Sequence, residues 1–236
     1  MSEQAKAEQI KPADNPNAGH RQRLRQRFLK AGIDGVQDYE LLELILFRAM
    51  PRRDVKPLAK TLIKKFGSFA DVIQAPPHRL AEVKGIGEAA ITEMKIIAAS
   101  AIKLAQDNIL SRHVISSWED LLAYCQSAIG YEPIEQFRIL FLDNRNILIA
   151  DEKQQSGTVN HTPVYPREVV KRALALEASS IILVHNHPSG DPTPSKADIQ
   201  MTMQIMDAAA PLGIRVHDHL VIGRGKHVSF KSLGLL

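Results

Sequence analysis

IILVHNHPSGDPTPSKAD, residues 181–198, joins an unbroken apolar run to a dense set of polar groups. The four apolar residues at its start predict a central β-strand that is buried on both faces. Because side chains alternate between the faces of a strand, His185 and His187 are expected to point the same way, with Asn186 opposite. The proline-rich loop that follows has little freedom and can hold Asp198, one turn inside the next helix, over the strand end. The stretch therefore predicts an α/β fold with a polar site at the end of a central strand.

The polar groups of this stretch allow two interpretations. Ser195 and Asp198 have the spacing of a helix capping box, with aspartate at the usual glutamate or glutamine position, and the two histidines could be ordinary polar residues at a strand end. However, two imidazoles on one face followed by a carboxylate at a helix start also form the ligand set of zinc sites that leave a fourth position to water. A serine nucleophile is not expected, because neither Ser189 nor Ser195 lies in a G-x-S-x-G turn.

The composition narrows the classes of protein and of metal site. The chain has 236 residues, of which 44% are hydrophobic and 24% charged, as in ordinary globular proteins, and it has one cysteine. An intramolecular disulfide and cysteine-rich zinc sites are therefore excluded, and a metal site must use His, Asp or Glu. No apolar run is long enough to span a membrane. Residues 1–19 are polar and have no signal-peptide core, so we expect a disordered lead-in and a cytoplasmic protein.

Secondary-structure signals divide the chain into two domains, with a predicted boundary between residues 112 and 113. Residues 20–112 show helical periodicity throughout. In residues 113–236 strands and helices alternate, which is typical of an α/β domain. Residues 1–112 hold 19 Lys and Arg against 13 Asp and Glu, whereas residues 113–236 hold 11 against 13. Any contact with nucleic acid is therefore expected in the basic first domain.

The histidine-containing motif resembles that of a family of metalloproteases. H-x-H-P followed by S-x-x-D is similar to the signature of the JAMM (MPN-type) metalloproteases, and HNHPSGDPTPSKAD closely resembles its version in the RadC family. The segments GHRQRLRQRF, YELLELIL, KFGSFADVI, VKGIGEA, PREVVKRAL and DHLVIG also look RadC-like, so the resemblance covers nearly the whole chain. It implies a small all-α domain with a helix-hairpin-helix, followed by a JAMM/MPN-like mixed sheet flanked by helices.

The resemblance also implies roles for individual residues. His185, His187 and Asp198 would bind Zn²⁺, which activates water for the hydrolysis of a peptide or isopeptide bond in a peptide or protein substrate. Ser195 would donate a hydrogen bond to the developing oxyanion. Neither role excludes helix capping by the same residues.

A glutamate is needed in the family mechanism as general acid and base, and it lies upstream of the histidines. We expect this to be Glu135, just before a predicted strand, with Glu168 and then Glu152 as alternatives. A second same-face histidine pair occurs at residues 217–219. Its central aspartate and second histidine either support the metal ligands or are ordinary end-of-strand residues.

The turn KGIG, residues 84–87, resembles that of a helix-hairpin-helix. Gly85 and Gly87 permit a tight turn whose N–H groups, assisted by Lys84, can hold a phosphate at the start of the next helix. Glu88 counts against a phosphate there, and such hairpins also serve as packing units. If the turn is functional, the first domain binds duplex DNA weakly and without strong sequence preference.

Three functions are consistent with these patterns. The first is a zinc hydrolase of the JAMM class that cleaves a peptide or isopeptide bond. The second is a DNA-associated, repair-type protein whose zinc domain is not proteolytic. The third is an interaction domain without catalysis, as in MPN relatives that lack the metal ligands. The intact ligand set argues against the third function, and the sequence favours the first.

Overall fold

The computed structural model describes residues 19–109, 114, 117–156 and 164–236. Apart from Gly19, the predicted lead-in lies outside the described residues. The chain forms two compact units, which divide between Lys95 and Ile96, inside a helix. The predicted boundary at residues 112–113 falls outside the described residues and stays a prediction.

The first unit is helical throughout its described secondary structure, as predicted. Apolar side chains from several of its helices, among them Leu24, Leu42 and Leu62, are buried in its interior. Its helices are α1 (His20–Ala31), α2 (Asp38–Ala49), α3 (Lys56–Phe66), α4 (Phe69–Gln74), α5 (Pro77–Ala81) and α6 (Glu88–Ile109), with a 3₁₀ turn at Gly32–Gly35. The division between the units falls within α6.

Local sequence signals explain where several of these helices begin and end. Gln37 and Glu40 form a capping box at the start of α2, and Ser68 accepts a hydrogen bond from the backbone of α4. α3 stops before Gly67, whose φ of 113° is unfavourable for other residues. Gly85 in the KGIG turn between α5 and α6 has a φ of 97° for the same reason.

The second unit contains a mixed five-stranded sheet flanked by helices, which confirms the predicted α/β class. Its elements are α7 (Trp118–Ile129), β1 (Gln136–Leu142), β2 (Leu148–Ser156), α8 (Pro166–Ala175), β3 (Ser180–Asn186), α9 (Lys196–Ala209), β4 (Arg215–Gly223) and β5 (Lys226–Ser229). The strand order is β2-β1-β3-β4-β5. β3 and β4 are parallel, and the other neighbouring pairs are antiparallel.

Two hydrophobic cores cover the two faces of the sheet, and the central strand β3 contributes to both. Ile182 and Val184 lie in the core on the side of α7, whereas Ile181 and Leu183 lie in the core on the side of α8 and α9. Every residue of β3 is buried, as the apolar run predicts. The polar residues that follow therefore start from a strand that is fixed on both faces. In the described parts of the chain, no helix is long and apolar enough to cross a membrane.

Replacing Leu183 with alanine tests this placement of β3. The side chain has no exposed surface, so the substitution leaves a cavity and should lower the free energy of unfolding by about 2–5 kcal/mol. Leu174→Ala makes the same chemical change in α8 at a side chain that is 51% exposed, and should cost less than about 0.5 kcal/mol. Urea denaturation followed by circular dichroism measures both. Equal losses in the two variants would contradict the central position of β3.

Candidate metal centre

Three potential ligand groups meet where the end of β3 faces the first turn of α9. His185 Nε2 lies 3.0 Å from His187 Nε2, and these two atoms lie 3.6 and 3.7 Å from Oδ1 and Oδ2 of Asp198, respectively. A tetrahedral ion with bonds of about 2.0–2.1 Å would separate its ligand atoms by about 3.3 Å. The three side chains that the sequence singled out therefore lie close enough together to bind one metal ion.

A backbone carbonyl orients the ring of His187. Its Nδ1 lies 2.7 Å from the carbonyl oxygen of Asp191, in the proline-rich loop. Because a carbonyl oxygen can only accept, Nδ1 must carry the proton and donate. In the neutral imidazole, Nε2 then carries the lone pair, and this is the atom that faces His185.

A chain of three hydrogen bonds orients the ring of His185. Thr202 Oγ1 donates to the carbonyl oxygen of Asp198 at 2.6 Å, so it accepts from His219 Nδ1 at 2.7 Å. Burial holds the pKa of His219 well below its usual range, and its ring is neutral. His219 Nε2 therefore accepts from His185 Nδ1 at 2.8 Å. As in His187, Nε2 of the neutral ring is left to face the site.

Because both Nδ1 atoms donate, the Nε2 atoms of His185 and His187 face each other, and their lone pairs would repel unless a proton or a metal ion lies between them. The Asp198 carboxylate supplies the negative charge for that cation. Burial opposes its ionisation, but positive charge at His185 and His187 and the hydrogen bonds with Ser195 hold the pKa of Asp198 far below its usual range. A proton and a metal ion would compete for this position, so metal affinity is expected to fall as the pH falls.

Ser195 and Asp198 form the predicted capping box of α9. Ser195 Oγ accepts from the Asp198 N–H at 3.2 Å, and the Asp198 carboxylate accepts from the Ser195 N–H at 2.7 Å. The cap fixes the carboxylate beside the two histidines. It uses the Ser195 oxygen only as an acceptor, and Ser195 is exposed, so its hydroxyl proton stays available to another partner.

The end of β4 fixes the proline-rich loop. The His187 N–H donates to the carbonyl oxygen of Ile222 at 2.9 Å. The next residue, Gly223, lies so close to the loop that a Cβ atom there would clash with the carbonyl group of Gly190. The absence of a side chain at Gly223 therefore permits the close approach of the loop that carries the Asp191 carbonyl.

Asn186 lies between the two histidines, is fully buried, and holds the chain segment that precedes β1. Its side chain accepts from the Gln136 N–H at 2.8 Å and donates to the carbonyl oxygens of Glu132 and Ile134 at 3.2 and 3.3 Å. Glu135 belongs to this segment. The pKa of His187 is raised chiefly by its contact with Asp198, and the charge of Glu135 makes a smaller contribution in the same direction.

The two alternative glutamates are both paired with arginines. Glu152 in β2 accepts hydrogen bonds from Arg172 of α8 at 2.5–3.0 Å, and this contact lowers the pKa of Glu152. Glu168 pairs with its neighbour Arg167 at 3.3 Å. A carboxylate held by a guanidinium group is a weaker base, which counts against Glu152, and Glu135 as the general base stays a prediction.

The two histidines of the second pair, His217 and His219, lie in different surroundings. His219 contacts His185 as described above, so it supports a candidate ligand. Asp218 is buried and accepts hydrogen bonds from Ser229 in β5. His217 contacts Trp118 edge-on, with ring centroids 6.1 Å apart.

Thr202 and Asn186 were not assigned a supporting role from the sequence. The alternation of the strand puts Asn186 opposite the histidines, on a buried face where a polar side chain needs hydrogen-bond partners. That signal could have indicated its role. Thr202 lies four residues after Asp198 and therefore on the same side of α9, but only the fold shows that His219 is its partner.

The KGIG residues lie in the first unit, in the turn between α5 and α6. Lys84 is exposed and Gly85 has a positive φ, whereas Gly87 does not. The turn geometry therefore requires glycine at the first position only. DNA binding by Lys84, Gly85 and Gly87 stays a prediction.

Asn186→Leu tests whether Asn186 holds the segment that carries Glu135. Leucine has a similar size but leaves the Gln136 N–H and two carbonyl groups without their partners, so the free energy of unfolding should fall by about 2–4 kcal/mol. Hydrogen exchange at the Gln136 amide should accelerate more than exchange at Ile182, in the middle of β3, which serves as the internal control. Unchanged protection at Gln136 relative to Ile182 would show that Asn186 does not hold this segment.

Comparison with known proteins agrees with the fold. The family model described as a RadC-like JAB domain matches residues 115–235, and one described as UPF0758 N-terminal matches residues 17–92. A UPF0758 protein of Rhodobacter capsulatus is 63% identical over 213 residues, which cover 90% of this chain and 100% of the relative. A UPF0758 protein of Ruegeria pomeroyi is 57% identical over 217 residues, which cover 92% of this chain and 97% of the relative. The chain therefore belongs to the RadC (UPF0758) family.

Proposed function

We propose that this protein is a zinc-dependent hydrolase that cleaves a peptide or isopeptide bond. The observation that carries the proposal is the convergence of His185 Nε2, His187 Nε2 and the Asp198 carboxylate. In both histidines Nδ1 is occupied by a partner that fixes the ring. An arrangement built only for helix capping would not need two imidazoles with their Nε2 atoms 3.0 Å apart.

The donor set fits zinc better than other common ions. Two imidazole nitrogens and one carboxylate are typical of catalytic zinc sites, whereas magnesium and calcium prefer a shell of oxygen atoms. When bound, zinc supplies Lewis acidity and lowers the pKa of a coordinated water to about 7. His185, His187 and Asp198 are the residues that would hold it.

The remaining chemistry falls to Glu135 and Ser195. Glu135 accepts a proton from the attacking water and then passes it to the leaving nitrogen. The water oxygen first adds to the carbonyl carbon, and the carbon–nitrogen bond then breaks as the nitrogen takes the proton from Glu135. The products are an amine and a carboxylic acid, which releases the remaining proton of the water to solvent. The exposed Ser195 hydroxyl donates a hydrogen bond to the carbonyl oxygen as negative charge develops there. Ser195 is not the nucleophile.

Metal content tests the ligand assignment independently of any substrate. Purified wild-type protein should contain about one zinc per chain, and His187→Ala should lose most of it because the metal would keep only two protein ligands. His227→Ala, at an exposed histidine of β5, is the matched control and should keep its zinc. Elemental analysis after gel filtration measures all three, and circular dichroism confirms that each is folded. Equal zinc in wild type and His187→Ala would overturn the assignment.

Activity measurements separate the base from the oxyanion donor. Glu135→Gln keeps the shape of the side chain but cannot accept the proton, so it should retain zinc and lose about 10²–10⁴-fold in turnover. Ser195→Ala should lose about 10²–10³-fold, whereas Glu168→Gln is the control and should stay active. Fluorescently labelled casein and a library of fluorogenic peptides serve as probes. Full activity in Glu135→Gln would remove Glu135 from this role, and a covalent adduct at Ser195 would contradict attack by water.

A further inference from the structure

The first unit contains a cleft of about 500 Å³ with a strongly basic lining. The basic side chains come from two segments, the start of α1 and the loop before α3. We call this feature the arginine cleft, and its basic residues are His20, Arg21, Arg25, Arg52 and Arg53. Among the lining residues that the structure describes, only Asp54 is acidic. The arginine cleft therefore carries a net positive charge and is suited to an anion.

Arg21 is held rigidly in the arginine cleft by neutral groups. Its guanidinium lies over the ring of Phe47, 4.4 Å from the centroid. It donates to the carbonyl oxygens of Phe47, Met50 and Arg53 at 3.3, 2.7 and 2.6 Å. Carbonyl groups fix the position of a guanidinium without neutralising its charge. Arg21 therefore presents a preorganised positive charge, so an anion would lose little side-chain entropy by binding there.

Arg53 links the arginine cleft to the KGIG turn. Its Nη1 donates to the carbonyl oxygen of Gly85 at 3.2 Å. The guanidinium also fills the space beside Gly85, because a Cβ atom there would stand only 2.7 Å from Arg53 Nη2. Lys84, which is exposed, precedes this glycine. The arginine cleft and the predicted phosphate-binding turn are therefore neighbours within the first unit.

Arg25 and Arg52 are the charges most available to a ligand. Both are exposed, and neither forms an ion pair with a carboxylate in the described part of the chain. Other arginines of the same unit do form such pairs, as Arg27 and Arg48 do with glutamates at 2.5 and 3.2 Å. A guanidinium without a carboxylate partner can use its paired N–H groups to bind a phosphate in a bidentate manner.

We propose that the arginine cleft binds successive phosphates of a nucleic-acid strand. Its volume is in the range of sites that hold a ligand larger than a single ion. The ring of Phe47 is 3% exposed and covered by Arg21, so it cannot stack on a base. Binding therefore depends on the phosphate backbone and shows little sequence preference. The start of α1 adds to the attraction, since its first turn has no acidic residue and no side-chain cap.

The test is binding of fluorescently labelled DNA to the full-length protein, followed by anisotropy at several salt concentrations. The double variant Arg25→Ala/Arg52→Ala should bind about tenfold or more weakly, and the slope of log affinity against log salt should fall by about two, one for each lost phosphate contact. Arg167→Ala/Lys171→Ala removes the same charge from exposed positions of α8 and should bind like wild type. Arg21 is left intact because its hydrogen bonds stabilise the loop before α3.

Two further measurements make the outcome decisive. Isothermal titration with inorganic phosphate and with ATP asks whether a small phosphate compound is the true ligand. Binding of a duplex or a single strand that is lost in the double variant, with much weaker binding of ATP, supports the proposal. ATP binding as tight as that of DNA would overturn the choice of nucleic acid. DNA binding that is unchanged in the double variant but lost in Gly87→Val would place the contact at the turn alone and overturn the role of the arginine cleft.

Discussion

The close approach of two imidazoles at the end of β3 is the constraint on which the second unit depends. Atoms His185 Nε2 and His187 Nε2 are 3.0 Å apart, and this separation is tolerable only if a cation accompanies them. The protein keeps both atoms in place by holding the backbone of the histidines and the Nδ1 atom of each ring. β3 is buried between two cores, and the Nδ1 atoms are bound by His219 and by the Asp191 carbonyl. The rigid strand and the occupied Nδ1 positions together define which nitrogen faces the candidate metal site.

The start of α9 serves two purposes with the same atoms. Asp198 is 9% exposed, and burying a carboxylate is costly unless it is paired and hydrogen-bonded. The capping box with Ser195 and the contacts with the two histidines provide those partners. The helix end that needs a cap and the candidate metal site that needs a carboxylate are therefore satisfied together. Because the same residues serve both arrangements, the S-x-x-D spacing alone could not distinguish capping from metal binding.

The sequence predicted the parts of the structure that depend on local pattern. The apolar run before His185 predicted a central buried strand, and alternation predicted that His185 and His187 share a face. Local sequence pattern could not reveal contacts between residues that are distant in the chain. The hydrogen bond from His219 to Thr202, the contacts of Asn186 with the segment before β1, and the contact of Arg53 with Gly85 all depend on the tertiary fold. For Glu168 the adjacent Arg167 already indicates an ion pair in the sequence, whereas the pairing of Glu152 with Arg172 depends on the tertiary fold.

The protonation of the histidine rings tests the central claim most directly. Long-range ¹⁵N–¹H NMR of the zinc-loaded protein identifies which nitrogen of each ring carries a proton and which is bound to metal. The account predicts Nδ1–H tautomers for His185, His187 and His219, with metal-type shifts at Nε2 of the first two and an unmetallated, hydrogen-bonded Nε2 in His219. Protonated Nε2 atoms in His185 and His187 at neutral pH with zinc present would contradict it, because the facing nitrogen atoms would then not be metal ligands.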